Sequence, residues 1–159
     1  MALISTDARR RSWLLGVTGI ALVGALPVIG LAQGAAVRLE MWSDEGCACC
    51  NQWAKHLQIH RFDVVQRHVD DVAAMRKQLG MLERYAGCHV ARVGRYVIDG
   101  HVPALDIRSL LREQPQALGL AVPNMPVGSP GMERAGKKDA YQVLLIGLDA
   151  NATVFKSYL

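Results

Sequence analysis

The chain has 159 residues, of which 51% are hydrophobic and 20% charged, and its formal net charge is +4. This length suits one globular domain, and the composition excludes an intrinsically disordered chain. Four cysteines are too few for a small domain built on disulfides, and three of them fall between Cys47 and Cys50. This clustering indicates a chemical site rather than a disulfide framework.

Residues 1–32 have the pattern of an export signal. Three arginines at positions 9–11 precede an uncharged run at 12–32, and small residues before Gln33 suit signal cleavage. Residues 10–14 also resemble a twin-arginine motif. The alternative is an uncleaved anchor, because the uncharged run is about long enough to span a bilayer. Both readings place residues 33–159 in the periplasm, with membrane attachment only if the signal is retained.

The same segment accounts for part of the positive charge. Residues 1–32 hold three arginines and one aspartate, so the net charge of residues 33–159 falls to +2. Nucleic-acid binding requires Lys and Arg clustered on one face, and no such cluster is seen. Nucleic acid is therefore excluded as a partner.

Hydrophobic periodicity predicts the order β-α-β-α-β-β-α up to Pro115. Strands are predicted at 37–42, 62–66, 89–93 and 96–98, and helices at 49–57, from the Asp70/Asp71 cap to 79, and at 105–113. Asp99-Gly100 is predicted to be a turn. Beyond Pro115 we expect an irregular loop rich in Pro, Gly and Met, and then a hairpin of strands 141–148 and 153–158.

With the cysteines at the first strand-to-helix junction, this order resembles the thioredoxin fold. The predicted fold class is therefore α/β and thioredoxin-like, with an irregular Pro/Gly/Met loop and a C-terminal β-hairpin. The predicted domain covers residues 33–159.

The cysteine cluster contains the Cys47/Cys50 spacing of a redox pair and a third thiol, Cys49, between them. The N-terminus of a helix favours thiolate over thiol. In a thioredoxin-like fold Cys88 would lie beside this helix, followed directly by His89. Soft thiolates select Cu(I) or Zn, and bridging thiolates would suit a small polynuclear Cu(I) cluster.

Three other readings of the cysteines remain open. Two structural disulfides are disfavoured, because stapling gains most from cysteines distant in sequence. A thiol–disulfide oxidoreductase would use Cys47 and Cys50, with Cys88 resolving. A closed Zn(Cys)4 site is less favoured than copper, because the adjacent Cys49 and Cys50 crowd a tetrahedron. No catalytic constellation of another enzyme class is present, so whether the protein is an enzyme stays open.

Four segments in order resemble the periplasmic CxCC metal-binding family that accompanies bacterial copper-resistance genes, the CopG type. They are Cys47–Trp53, Gly87–His89, Tyr96–Ala104 and Met125–Glu133. The resemblance covers residues 37–159 and implies a thioredoxin-like fold, copper binding at the cysteines and a role in copper tolerance. Ala48 stands where glycine is usual, and Val90 replaces a frequent threonine.

The predicted metal ligands are Cys47, Cys49, Cys50 and Cys88, with His89 and Met132 as outer ligands. Each outer ligand has an alternative: His89 as a strand residue pointing away from its neighbour, and Met132 or Met125 as apolar plugs of the loop. His101 is assigned to its turn, and the His56/His60 pair to the surface. The expected cargo is copper, with a copper-efflux or copper-chaperone protein as partner.

Overall fold

The computed structural model describes residues 35–159, so the export-signal prediction for residues 1–32 lies outside the described part. Within that part the chain forms seven strands, three α-helices and a short 3-10 turn at Glu83–Tyr85. The strands are β1 Val37–Ser43, β2 Phe62–His68, β3 Val90–Val93, β4 Tyr96–Gly100, β5 Ala117–Val122, β6 Tyr141–Gly147 and β7 Ala152–Tyr158. The helices are α1 Ala48–Ile59, α2 Val72–Gln78 and α3 Ala104–Glu113.

All seven strands form one sheet in the order β2-β1-β3-β4-β5-β6-β7. The β1/β2 and β4/β5 pairs are parallel, and the remaining neighbours are antiparallel. The mixed α/β class, the predicted element order up to α3 and the C-terminal hairpin are confirmed. The order β2-β1-β3-β4, with β3 antiparallel to β1, agrees with the thioredoxin-like expectation.

The helices cover the sheet from both sides. The apolar faces of α1 and α3 pack on one face around Trp53, Leu57 and Ile107, all fully buried. Val72 of α2 belongs to a second cluster on the opposite face, with Trp42 of β1. Successive residues of β1 point to opposite faces, so Met41 belongs to the first cluster and Trp42 to the second. The sheet is therefore covered by α1 and α3 on one face, and by α2 over β1 and β3 on the other.

The prediction that the chain becomes irregular beyond Pro115 was wrong for its first part. Ala117–Val122 forms β5, which lies inside the sheet between β4 and β6. Leu120 packs with the first apolar cluster and Ala121 with the second, so the strand is buried on both faces. A strand covered on both faces has an apolar run without alternation, and this is why the period-2 pattern did not reveal it.

The predicted turn at Asp99-Gly100 was also wrong, since these two residues form the end of β4.

In the described part of the chain, no helix is long and apolar enough to cross a membrane.

Candidate metal centre

The first turn of α1 holds three of the four cysteines. Cys47 is the N-cap, with an extended backbone, and its sulfur accepts a hydrogen bond from the backbone N–H of Cys50 (3.4 Å). Gly46, with φ of +76°, precedes it in the turn that leaves β1. The first turn of α1 has no acidic side chain. The unpaired N–H groups and the positive end of the helix dipole therefore favour negative charge on sulfur here.

Cys88 completes the sulfur cluster from the other side. Its Sγ lies 3.2 Å from that of Cys47, 3.3 Å from that of Cys49 and 3.4 Å from that of Cys50. The four sulfur atoms all lie within 4.8 Å of one another. Cys50 is fully buried and the other three cysteines are partly exposed. Cys88 thus brings its sulfur against all three cysteines of α1, in a cluster that is open on one side.

The cysteines differ in oxidation state. A disulfide joins Cys47 to Cys50, whose Cα atoms are 5.4 Å apart, whereas Cys49 and Cys88 are free thiols. Burial raises the pKa of the Cys88 thiol to about 12, and the neighbouring Cys49 adds to the rise. Because a metal binds cysteine in its thiolate form, a metal that binds Cys88 would displace the proton of this thiol.

His89 lies next to this cluster but inside the core. Its imidazole is fully buried, 4.2 Å from the Trp53 ring and 5.0 Å from the His101 ring, measured between centroids. Burial lowers the pKa of His89 well below its usual value, and nearby His101 and Arg76 lower it further. Neither ring nitrogen has a hydrogen-bond partner in the part of the chain that the structure describes.

Cys88 and His89 therefore both lie against α1, one touching its cysteines and the other its Trp53. The group of mutually close donor atoms consists of the four cysteines and does not include His89. Metal ligation by His89 stays a prediction. Because its two ring nitrogens have no hydrogen-bond partner among the described residues, the imidazole is chemically able to bind a metal ion.

Met132 is half-buried in the loop that follows β5. Its neighbour Gly131 lies directly against the first turns of α1. A Cβ added to Gly131 would be 2.7 Å from the backbone nitrogen of Trp53 and 3.0 Å from the Cys49 carbonyl oxygen. The loop thus brings the residue before Met132 against the turns of α1 that carry Cys49 and Trp53. Ligation by Met132 also stays a prediction. Met125 is 38% exposed.

The other histidines have structural contacts. His101 donates an Nδ1–H hydrogen bond to the Pro130 carbonyl (2.8 Å). Burial lowers the pKa of His101, which is consistent with a neutral ring. His56 was assigned to the surface, but its Nε2 accepts the Ala104 N–H at the start of α3 (3.1 Å) and the ring is half-buried. These two rings hold the loop and α3 in place around the site.

A buried ion pair that was not predicted from the sequence lies against Gly87, the residue before Cys88. Arg76 Nε donates to Asp99 Oδ2 (2.7 Å), and both side chains contact the peptide groups of Gly87. One feature of the sequence indicates this pair: Arg76 comes four residues after the buried Val72, so a charged residue lies on the apolar face of α2.

Comparison with known proteins agrees with this geometry. Residues 85–132 match a family model described as a protein of unknown function, DUF411. Two solved structures of the copper resistance protein CopG, called form 1 and form 2, each share 38% sequence identity with the chain and have a TM-score of 0.74. Each match covers 77% of this chain and 98% of the CopG chain. The protein belongs to the CopG-type copper resistance family.

Membership of the CopG-type family confirms the resemblance drawn from the four sequence segments. None of the curated proteins matches the chain. The family model includes Cys88 and Met132 and begins after the cysteines of α1. The match to the family model therefore does not cover the three cysteines of α1, and it is the structure that brings Cys88 together with them.

Proposed function

We propose that this CopG-type protein binds Cu(I) as a small cluster through Cys47, Cys49, Cys50 and Cys88. The observation that carries the proposal is the convergence of four sulfur atoms within 4.8 Å of one another. Thiolates are soft ligands that favour Cu(I), and one thiolate can bridge two ions. A site of this kind would serve copper resistance by sequestering the ion, by passing it on, or by interconverting Cu(I) and Cu(II).

Full binding requires reduction of the Cys47–Cys50 disulfide. Two electrons and two protons convert it to two thiols, and a dithiol reductant would supply both while itself becoming a disulfide. With the disulfide intact, only Cys49 and Cys88 offer free sulfur. The reduced protein should therefore bind more copper than the oxidised protein.

His89 and Met132 are proposed as outer ligands. The support for His89 is a fully buried imidazole whose two nitrogens lack partners. A buried polar group without a hydrogen bond costs free energy, which a bound ion would recover. The support for Met132 is the close packing of Gly131 on α1, together with the affinity of thioethers for Cu(I).

We place this activity in the periplasm. The support is the signal-like pattern of residues 1–32 and the CopG-type family. Cu(I) would come from, or pass to, a copper-efflux or copper-chaperone protein. Export is tested by fractionating cells that produce the full chain and by sequencing the N-terminus of the exported product.

The copper proposal is tested by anaerobic titration of the full chain with Cu(I), in competition with a chromophoric chelator. We expect more than one copper per chain and consumption of all four thiols in the reduced protein. Cys49→Ser should abolish binding of several coppers. An unchanged copper stoichiometry in Cys49→Ser would contradict the cluster. Preferential binding of one Zn²⁺ per chain, with unfolding on chelation, would instead indicate a structural zinc site.

A second candidate is a thiol–disulfide oxidoreductase. The observation in its favour is the Cys47–Cys50 disulfide with the Cys88 sulfur 3.2 Å from that of Cys47. In this reaction the Cys47 thiolate would attack a substrate disulfide and release one substrate thiol, and the Cys50 thiolate would then attack the mixed disulfide, releasing the second substrate thiol and forming Cys47–Cys50. Cys88 would act as the resolving thiol by attacking Cys47 of that disulfide, which frees the Cys50 thiol and leaves a Cys47–Cys88 disulfide. Insulin reduction that persists in Cys49→Ser, without competitive Cu(I) binding, would favour this function.

A further inference from the structure

Two charged side chains are buried directly behind Cys88. Arg76 of α2 is 4% exposed and Asp99 of β4 is fully buried, and they form an ion pair with an N–O distance of 2.7 Å. Removing two charges from water is costly, and a buried ion pair is often no more stabilising than apolar residues of similar volume. The pair therefore points to a role other than stabilising the fold.

Both side chains of the pair bind the residue that precedes Cys88. Asp99 Oδ1 accepts the backbone N–H of Gly87 (2.6 Å), and Arg76 Nη2 donates to the Gly87 carbonyl (3.0 Å). The ion pair thus holds both backbone polar groups of Gly87. The carbonyl that Arg76 binds belongs to the peptide linking Gly87 to Cys88, so this contact fixes the direction in which the chain enters Cys88.

Backbone packing fixes the same segment from the side of β4. A Cβ added to Gly87 would overlap the Cα of Gly100, so only glycine allows this approach. The Gly100 N–H donates to the carbonyl of His89 (2.9 Å). The three residues 87–89 are therefore held on both sides of Cys88 by residues 99 and 100.

We propose that Arg76 and Asp99 are positioning residues that hold the Cys88 sulfur against the three sulfurs of the α1 cysteines. This inference rests on the proposed function in one respect: Cys88 is taken to be a metal ligand. Metal sites tolerate errors of only about 0.2 Å in ligand distance. A small rotation of the 87–88 peptide would change all three contacts that the Cys88 sulfur makes.

Two variants of the full chain separate positioning from folding. The double variant Arg76→Met/Asp99→Asn removes both charges, so no lone charge remains buried. Arg76→Lys keeps the charge beside Asp99, but an ammonium group lacks the planar fork that reaches Asp99 and Gly87 together. Loss of an outer-shell contact typically costs about 10–100-fold in metal affinity. We expect a loss in this range for the double variant and a smaller loss for Arg76→Lys.

Asp106→Asn is the matched control. Asp106 of α3 is 1% exposed, pairs with Lys156 (3.6 Å) and accepts the Tyr158 hydroxyl (2.7 Å). It therefore also removes a buried, paired carboxylate, but one that makes no described contact with residues 87–89. Wild-type copper affinity is expected in the control. An equal loss in the control, or no loss in either Arg76 variant, would overturn the positioning role.

A readout without copper distinguishes this inference from the proposed function. Phenylarsine oxide joins two close thiols and releases water, and the free Cys49 and Cys88 sulfurs are 3.3 Å apart. The metal-free oxidised wild type should bind one arsenical, and Cys88→Ser should bind none. We expect at least tenfold weaker arsenical binding in the double variant, with a smaller loss in Arg76→Lys.

The two readouts fail separately. Wild-type capture of the arsenical without any Cu(I) binding would contradict the proposed function, and the loss in the variants would still support positioning. Wild-type-like arsenical binding in both Arg76 variants would overturn positioning whatever the copper titration shows. If circular dichroism shows that the double variant does not fold, the arsenical affinity of Arg76→Lys decides whether the positioning role holds.

Discussion

His101 donates its Nδ1–H to the Pro130 carbonyl, 2.8 Å away, and so ties the chain that leaves β4 to the loop that carries Met132. Both residues are buried. The contact joins two segments 29 positions apart in sequence. This imidazole therefore anchors the loop by a hydrogen bond, in addition to the packing of Gly131 on α1.

His101→Leu removes this donor and leaves the Pro130 carbonyl buried without it. An unsatisfied buried acceptor costs about 1–3 kcal/mol, so we expect a loss of that size in the free energy of unfolding. Urea denaturation monitored by tryptophan fluorescence measures it. His101→Gln supplies an amide donor and should recover part of the loss; equal stability of His101→Leu and wild type would show that the anchor is dispensable.

Gly131→Ala tests how tightly the same loop lies on α1. Gly131 has φ of +87°, and an added Cβ would be 2.7 Å from the backbone nitrogen of Trp53 and 3.0 Å from the Cys49 carbonyl oxygen. Gly136 has φ of +71° with nothing within 4 Å of an added Cβ, so Gly136→Ala is the matched control for backbone strain alone. Strain of this kind costs about 1–3 kcal/mol.

We expect Gly131→Ala to lose more unfolding free energy than Gly136→Ala, because only the first must also displace backbone atoms of α1. Reduced Cu(I) affinity should accompany the loss at Gly131. Equal losses in the two variants would mean that the loop moves away from α1 without cost.

The site could be predicted from sequence where the signal was local. The spacing of Cys47, Cys49 and Cys50 at a strand-to-helix junction indicated a sulfur cluster, and the thioredoxin-like order of the elements placed Cys88 beside them. The structure brings these four sulfurs together. Residues close in sequence, or ordered by a known chain topology, therefore carried most of the site.

What stayed hidden depended on contacts distant in sequence. Arg76 and Asp99 are 23 positions apart, and neither is unusual alone. β5 was missed because its residues face apolar neighbours on both sides. Gly119 adds to this, since an added Cβ would overlap the Val97 carbonyl of the neighbouring strand. A glycine in an apolar run resembles a loop until its neighbour is known.

Acid should destabilise the metal-free oxidised protein through its buried histidines. Burial lowers the pKa of His89 well below its usual value and also lowers that of His101. The unfolded chain binds protons near pH 6.5 while the folded rings stay neutral, so stability falls as the pH drops below about 6.5. The contribution of each histidine approaches about 1.4 kcal/mol per pH unit.

His89→Leu should make the unfolding free energy less dependent on pH between 7.5 and 5.5, by up to that amount per unit. Urea denaturation at several pH values measures the slope. His68→Gln is the control for the loss of a histidine, because His68 is exposed. An identical slope in His89→Leu and wild type would mean that His89 takes up its proton equally in the folded and unfolded states, which contradicts a pKa lowered by burial.

Met132→Leu separates a copper ligand from an apolar plug. Leucine fills a similar volume, and such exchanges usually cost less than about 1.5 kcal/mol, so the fold should persist. A lost thioether ligand should weaken Cu(I) binding by about tenfold, equivalent to about 1.4 kcal/mol. Met75→Leu is the matched control, since Met75 is also half-buried but packs in the cluster on the α2 face of the sheet. Chelator competition on the reduced full chain would measure both variants, and equal Cu(I) affinities would leave Met132 with a packing role alone.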